Sequence, residues 1–366
     1  DDNWAEEGVL LAFAAGITHI DTANDYHNQG GVGRALRRSG KARGEYFLTS
    51  KVPGCGRQNA GNPDDCYKWT MSYLEEDMLL LNVTYVDLML LHHPPDQKCE
   101  ESGDSCRRLQ SQWRAMEDFL LGMNKSRAIG VSNYCMGCYV CLNETLRVVP
   151  AVNQVKYHIG MGKDPFGMVS ASKDLGIIIQ AYSPLGNGDK FFTEGDATTE
   201  IGEKYGKTSA QIALKWVIQN GVPVLTKSLN PAYLAQDIDI FDFNLTEPEM
   251  QRLNDEDRYY TPAGCLKDGK KGFPVGAIVG ICIALVFLVA LLVVLFIRRR
   301  VYCQKFLTML SSTSSLTAGS TYSEVHLESR DSDECNLSEQ RDVGRNVVDE
   351  AEDALHRAIS GEIIDQ

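Results

Sequence analysis

Basic residues are in deficit along this 366-residue chain: 36 lysines and arginines stand against 49 aspartates and glutamates, a formal net charge of -13. With no basic patch interleaved with aromatics, a nucleic-acid partner is excluded, because phosphate backbones are gripped by clustered positive charge. A complete metal-ligand set is missing too. Cys135, Cys138 and Cys141 form a close trio, yet no fourth ligand stands near them, so a packing or disulfide role is expected and no metal. Nor is a secretory leader visible.

What is present is a set of polar residues at the ends of apolar runs. The stretch Gly16-Ile17-Thr18-His19-Ile20-Asp21 reads as a strand ending in an acid, and Tyr26 follows five residues later. Phe47-Leu48-Thr49-Ser50-Lys51 reads as a second strand ending in lysine, and Tyr85 to His92 as a third ending in histidine. In a parallel barrel the carboxyl ends of the strands share one rim, so residues far apart in sequence can meet there. An acid, a lysine, a histidine and a phenol suit a site in which the phenol gives up a proton, which an unassisted phenol does poorly near neutral pH. Alone, each residue has an ordinary structural role: Asp21 with Lys51 as an ion pair, His92 as a satisfied barrel histidine.

Further motifs follow in order: Gly130-Val131-Ser132-Asn133, Asn153-Gln154, Ala181-Tyr182-Ser183-Pro184-Leu185 and Thr226-Lys227-Ser228. Taken together, the chain from about Trp4 to Asp257 resembles an aldo-keto reductase, an α/β protein of the (β/α)8 TIM-barrel type that reduces carbonyls with NADP(H). The resemblance implies that Tyr26 is the general acid and that Lys51, held by Asp21, places an ammonium beside it. His92 would orient and polarise the carbonyl oxygen. A nearby positive charge favours the phenolate left behind, so the arrangement is physically coherent. On the cofactor side, the resemblance assigns Ser132, Asn133 and Gln154 to the nicotinamide carboxamide. Tyr182 would stack on the ring, with Ser183 and Leu185 in the same cofactor-binding motif, and Lys227 and Ser228 would meet the ribose 2′-phosphate. The structural alternatives are a plain turn at Ser183 to Gly186 and a helix cap at Ser132-Asn133.

Three departures stand out. Tyr233 occupies the place where many relatives carry an arginine six residues after the lysine, so the choice of NADP over NAD rests on Lys227, with NAD the second candidate. His93 replaces a tryptophan that often follows the histidine and makes the pocket wall less apolar. The chain also starts at Asp1-Asp2-Asn3-Trp4 in what reads as a helix, from which the first barrel strand is expected to be missing. Seven strands are then counted, from Thr18, Phe47, Val86, Ala128, Ala151, Ile177 and Pro223 onward. Between them, apolar stripes predict barrel-packing helices over residues 4–15, 112–121 and 209–218. Asn62-Pro63 and Asn230-Pro231 carry helix-start signatures.

The expected organisation is a barrel over residues 1–257, a juxtamembrane linker at 258–274, a transmembrane helix at 275–297 and an acidic, Ser-rich, disordered tail at 298–366. The run 275–297 is uncharged and is followed by Arg298-Arg299-Arg300. Lysine and arginine counts on its two sides are balanced and leave orientation open. Cysteine tips it: Cys55 with Cys66 and Cys99 with Cys106 bound short polar loops and are expected to pair. Together with sequons at Asn82, Asn124, Asn143 and Asn244 they favour a luminal or extracellular barrel. The expected function is a membrane-anchored reductase of a small carbonyl substrate, with a tail available to a protein partner. The alternative is a non-enzymatic, redox-sensing barrel coupled to a membrane partner.

Overall fold

A computed structural model describes residues 1–56 and 59–256. Six strands form one parallel sheet in chain order: β1 (His19–Asp21), β2 (Phe47–Val52), β3 (Val86–Leu91), β4 (Ser126–Ser132), β5 (Val152–Lys156) and β6 (Ile178–Tyr182). The helices are α1 (Asp2–Ala14), α2 (Gln29–Arg38), α3 (Asp65–Leu81), α4 (Gly103–Leu121), α5 (Met136–Asn143), α6 (Met168–Asp174), α7 (Lys190–Thr193), α8 (Asp196–Tyr205), α9 (Ser209–Gln219), α10 (Pro231–Ile238) and α11 (Glu247–Asn254). Strand, helix, parallel strand is the repeat that builds α/β barrels, and the described sheet is a half-barrel of that kind.

The strands form here because they can be buried on both faces. Val86 to Leu91 is buried at every position, the near-continuous apolar run that a helix-covered parallel strand requires. Its single charge, Asp87, is matched: it accepts from Arg43 Nη2 at 2.6 Å, from the Leu48 backbone N–H at 2.9 Å and from Arg127 Nη1 at 3.3 Å. That cluster binds β2, β3 and β4 at the amino-terminal end of the sheet, opposite the rim where the strands finish. The predicted stripe on α4 is the packing face, with Trp113, Met116 and Phe119 buried and Leu120 partly so.

Six strands are observed where seven are expected. The segment from Pro223 makes a single bridge, Val224 to Ala181, with Ala181 N–H donating to Pro223 O at 2.7 Å and Leu225 N–H to Ala181 O at 2.9 Å. Two bonds and one bridge are too few to count as a strand, and the proline offers no N–H to extend the pairing. Asn230 does cap α10, accepting from Ala232 N–H at 2.9 Å. Asn62 instead accepts from Asp64 N–H at 3.1 Å, and α3 starts later, at Asp65.

The cysteine pairing is corrected in part. Cys55 bonds Cys66 as expected, but Cys99 bonds Cys138 and Cys106 bonds Cys141. The reason lies in α5: Cys138 and Cys141 are three residues apart and share one helix face, so one can meet Cys99 before α4 and the other Cys106 in its first turns. Cys135 is disulfide-bonded as well. The close trio is thus a set of disulfide halves.

The membrane localisation is corrected too. Among the described residues no helix is long and apolar enough to cross a membrane. The run 275–297, the linker before it and the acidic tail lie outside the described residues.

Candidate active site

The site begins with an unusual burial. Lys51, near the end of β2, has no exposed surface. An ammonium carries three N–H donors and is costly to bury unless each is used. Here each is: Nζ forms an ion pair with Asp21 Oδ1, donates to Thr22 O at 3.0 Å and lies 3.4 Å from the Tyr26 hydroxyl. All three acceptors come from the end of β1 and the turn after it. The pairing of β1 with β2 and the single 3-10 turn Asn24–Tyr26 bring them to the lysine. Tyr26 is 45% exposed, so one edge of the hydroxyl site is buried against the ammonium while the ring stays open to a ligand.

His92 closes the other side. Its backbone N–H donates to Val52 O at 2.8 Å, which fixes the end of β3 beside the end of β2. Its ring stands edge-on to Tyr26 with centroids 5.5 Å apart and stacks on His93 at 4.3 Å. Nδ1 contacts Asp25 Oδ2 at 2.9 Å. That hydrogen bond holds the Asp25 carboxyl below its ordinary range. Burial, with His92 alongside, pushes the His93 imidazole down to about 4, so its ring is neutral at neutral pH.

The next three strand ends continue the network. Gln154 Nε2 donates to the second Asp21 oxygen at 2.8 Å and to Gln180 Oε1 at 2.9 Å. Ser132 Oγ donates to Gln154 O at 2.7 Å. Asn133, at a left-handed φ of 62°, turns its amide to His92 O at 3.0 Å and accepts from the Tyr182 hydroxyl at 2.8 Å. The four proposed catalytic side chains and Ser132, Asn133, Gln154 and Tyr182 are therefore one connected cluster. Ser183, at φ 49°, bonds Asn187 Oδ1 at 2.8 Å in the turn after β6, and Leu185 is half-buried against the core. Lys227 and Ser228 lie just past the short pairing at Val224, with Lys227 exposed and the Ser228 hydroxyl accepting from Asn230 N–H at 3.0 Å.

Several contributors were not singled out from sequence. Asp25 sits between Asp21 and Tyr26, and a second acid next to the tyrosine was the available signal. Gln180, which positions Gln154, and the Thr22 carbonyl left no signal. Neither did a buried support behind the site: Asp77 of α3 accepts from Ser50 Oγ at 2.6 Å and from Asn24 Nδ2 at 2.9 Å, and Gln29 Nε2 donates to Ser50 Oγ at 2.7 Å. This network ties the turn that carries Tyr26 to the strand that carries Lys51. Burial pushes the Asp77 carboxyl up to about 6 against those hydrogen bonds.

The donor set fits a nicotinamide dinucleotide. Hydroxyl and amide groups at Ser132, Asn133 and Gln154 suit a carboxamide, the tethered Tyr182 offers a flat ring, and the Lys227 ammonium with Ser228 suits a phosphate. Tyr233, 57% exposed on α10, is available to an adenine face.

Comparison with known proteins agrees. Residues 1–257 match the Aldo/keto reductase family. Relatives include morphine 6-dehydrogenase of Pseudomonas putida, 35% identical over 68% of this chain and 81% of that protein, and glyoxal reductase of Bacillus subtilis (strain 168), 35% identical over 69% and 83%. Similar solved structures include MGS-M4, an aldo-keto reductase from a Medee basin deep-sea metagenome library, with TM-score 0.62, 30% identity and coverage of 73% of this chain and 92% of that one. A Bombyx mori aldo-keto reductase solved in complex with NADP has TM-score 0.58, 27% identity and coverage of 70% and 84%.

Proposed function

The chain belongs to the aldo/keto reductase family and is an NAD(P)H-dependent carbonyl reductase, and from that premise we propose that Tyr26 is its proton donor. The observation that carries this is the saturated, fully buried ammonium of Lys51 beside the Tyr26 hydroxyl. NADPH, when bound, would supply the hydride for the carbonyl carbon. The electron pair of the C=O π bond moves to oxygen, and that oxygen takes the Tyr26 proton. The phenolate left behind sits next to a cation that Asp21 and the Thr22 carbonyl hold in place. Because Tyr26 is half-exposed, it regains its proton from water after each turnover.

His92 orients the carbonyl. Its ring is edge-on to Tyr26 and braced by Asp25, which aims its remaining nitrogen at the oxygen that Tyr26 protonates. Ser132, Asn133, Gln154 and Tyr182 would receive the nicotinamide end, with Ser183 and Leu185 beside them. Lys227 and Ser228 would take the 2′-phosphate, which makes NADPH the preferred cofactor. Residues 1–257 are taken as the catalytic unit. With His93 beside His92, the substrate is a small carbonyl that tolerates a polar pocket wall.

The test is NADPH consumption with a small aldehyde. Tyr26→Phe should lower kcat by about 10²–10⁴-fold, the usual contribution of a positioned general acid, with cofactor binding retained. Activity within about twofold of wild type would refute the assignment.

A further inference from the structure

Beyond the reductase chemistry, Asp25, His92 and His93 lie together at the mouth of the site, one ligand atom from each within 4.8 Å of the others. We propose that these three residues form a binding site for a zinc-type divalent cation, and that an ion seated there, beside His92, obstructs entry of the carbonyl. The second half of this proposal rests on the role of His92 given above. The first does not.

Two imidazoles and one carboxylate are a donor set that suits zinc, cobalt, nickel and copper better than magnesium or calcium, which prefer all-oxygen ligands. Neutral imidazoles are required, and displacement of the proton shared between His92 Nδ1 and Asp25 Oδ2 is the exchange by which a cation enters. Those two atoms are 2.9 Å apart. Tetrahedral zinc at about 2.0–2.1 Å from each ligand needs them about 3.4 Å apart, so that contact opens by about half an ångström. The third ligand closes in by at most about 1.4 Å, within reach of a change of rotamer. Three protein ligands leave the fourth position to water or substrate, the pattern of an open site.

The surroundings favour this. Asp25 is exposed and sits in a turn, so it can follow the ion, whereas His92 is held by its backbone bond to Val52. The Asn133 amide contacts His93 Nδ1 at 3.2 Å and steadies that ring. The Lys51 charge reaches His93, and its three donors are already directed to Asp21, Thr22 and Tyr26. A second cation therefore faces a site whose own carboxylate, Asp25, is not shared with the lysine. His93 decides the matter: without an imidazole at that position only a two-ligand contact is left.

The experiment titrates the full chain with Co²⁺, whose visible d–d absorbance reports inner-sphere nitrogen ligation, and then displaces it with Zn²⁺. The proposal expects one saturable site, a spectrum lost in His93→Phe, and affinity weakened in Asp25→Asn by more than the roughly 10–100-fold typical of an outer-shell loss. Alongside, Zn²⁺ should raise the KM for the aldehyde in wild type and not in His93→Phe. Absence of Co²⁺ absorbance, or a spectrum unchanged in His93→Phe with the ion bound elsewhere, overturns the site. A site-specific spectrum with turnover unaffected by Zn²⁺ supports the cation site and counts against His92 as the carbonyl-orienting group, so the two failures are told apart.

Discussion

At the residue scale, no donor of Lys51 is left unused, and the proposed mechanism depends on that. An ammonium with one vacant donor would be drawn toward water and away from the phenol. Breaking a buried pair strands the partner charge, which is why Asp21 also needs its bond from Gln154. The proposed catalytic quartet could be singled out because each member ends or follows a strand of clear apolar pattern. Asp25, Gln180 and the Thr22 carbonyl were not: a partner chosen by three-dimensional proximity leaves no periodic trace. Lys227 stands exposed as the one proposed cationic group for the phosphate, with Tyr233 where many relatives place a second cation. Lys227→Glu should therefore raise the KM for NADPH at least about tenfold, about 1.4 kcal/mol, and change that for NADH far less. Steady-state kinetics with both cofactors reads the difference, and equal effects would place the 2′-phosphate elsewhere.

At the element scale, the turn after β1 is held by a buried polar knot that joins it to β2 and α3. Asp77 titrates near 3.8 in an unfolded chain but at about 6 in the fold, because burial raises it. Between those values the folded state keeps a proton that the unfolded state has shed, so this group's contribution falls as pH rises from about 4 to 6 and stays lost above that. The shift corresponds to on the order of 3 kcal/mol. Asp77→Asn should remove that part of the slope in denaturant unfolding measured from pH 4 to 7, and a slope unchanged from wild type would show that Asp77 does not hold the proton. The disulfides act on a second pair of loops. Cys99 follows His92-His93 and Cys138 follows Ser132-Asn133, so their bond joins the loop after β3 to the helix after β4. Cys138→Ser should cost about 2–4 kcal/mol and lower Tm by several degrees. A Tm equal to wild type would mean that other packing already fixes these loops. The pairing itself was hidden in sequence, since nearest-neighbour loops suggested Cys99 with Cys106, while the i, i+3 face of α5 became visible only once that helix existed.

For the whole molecule, the parallel α/β architecture was readable from alternating strand and helix patterns, and the family match covers the same residues that carry the motifs. The count of strands was less secure, since Pro223 to Leu225 reads as a strand and makes only one bridge. The membrane assignment rested on composition alone, and no described helix supports it. Function depends on distant segments converging on one rim: residues 21, 26, 51, 92 and 154 come from four strand ends and a turn. On the proposed mechanism, that convergence makes Lys51 act through Tyr26 rather than independently. A double-mutant cycle in kcat measures it, using Tyr26→Phe, Lys51→Met and the double variant, with circular dichroism to confirm that each is folded. The account predicts that Lys51→Met costs little or nothing further once Tyr26 is phenylalanine, while losses that simply multiply would contradict it.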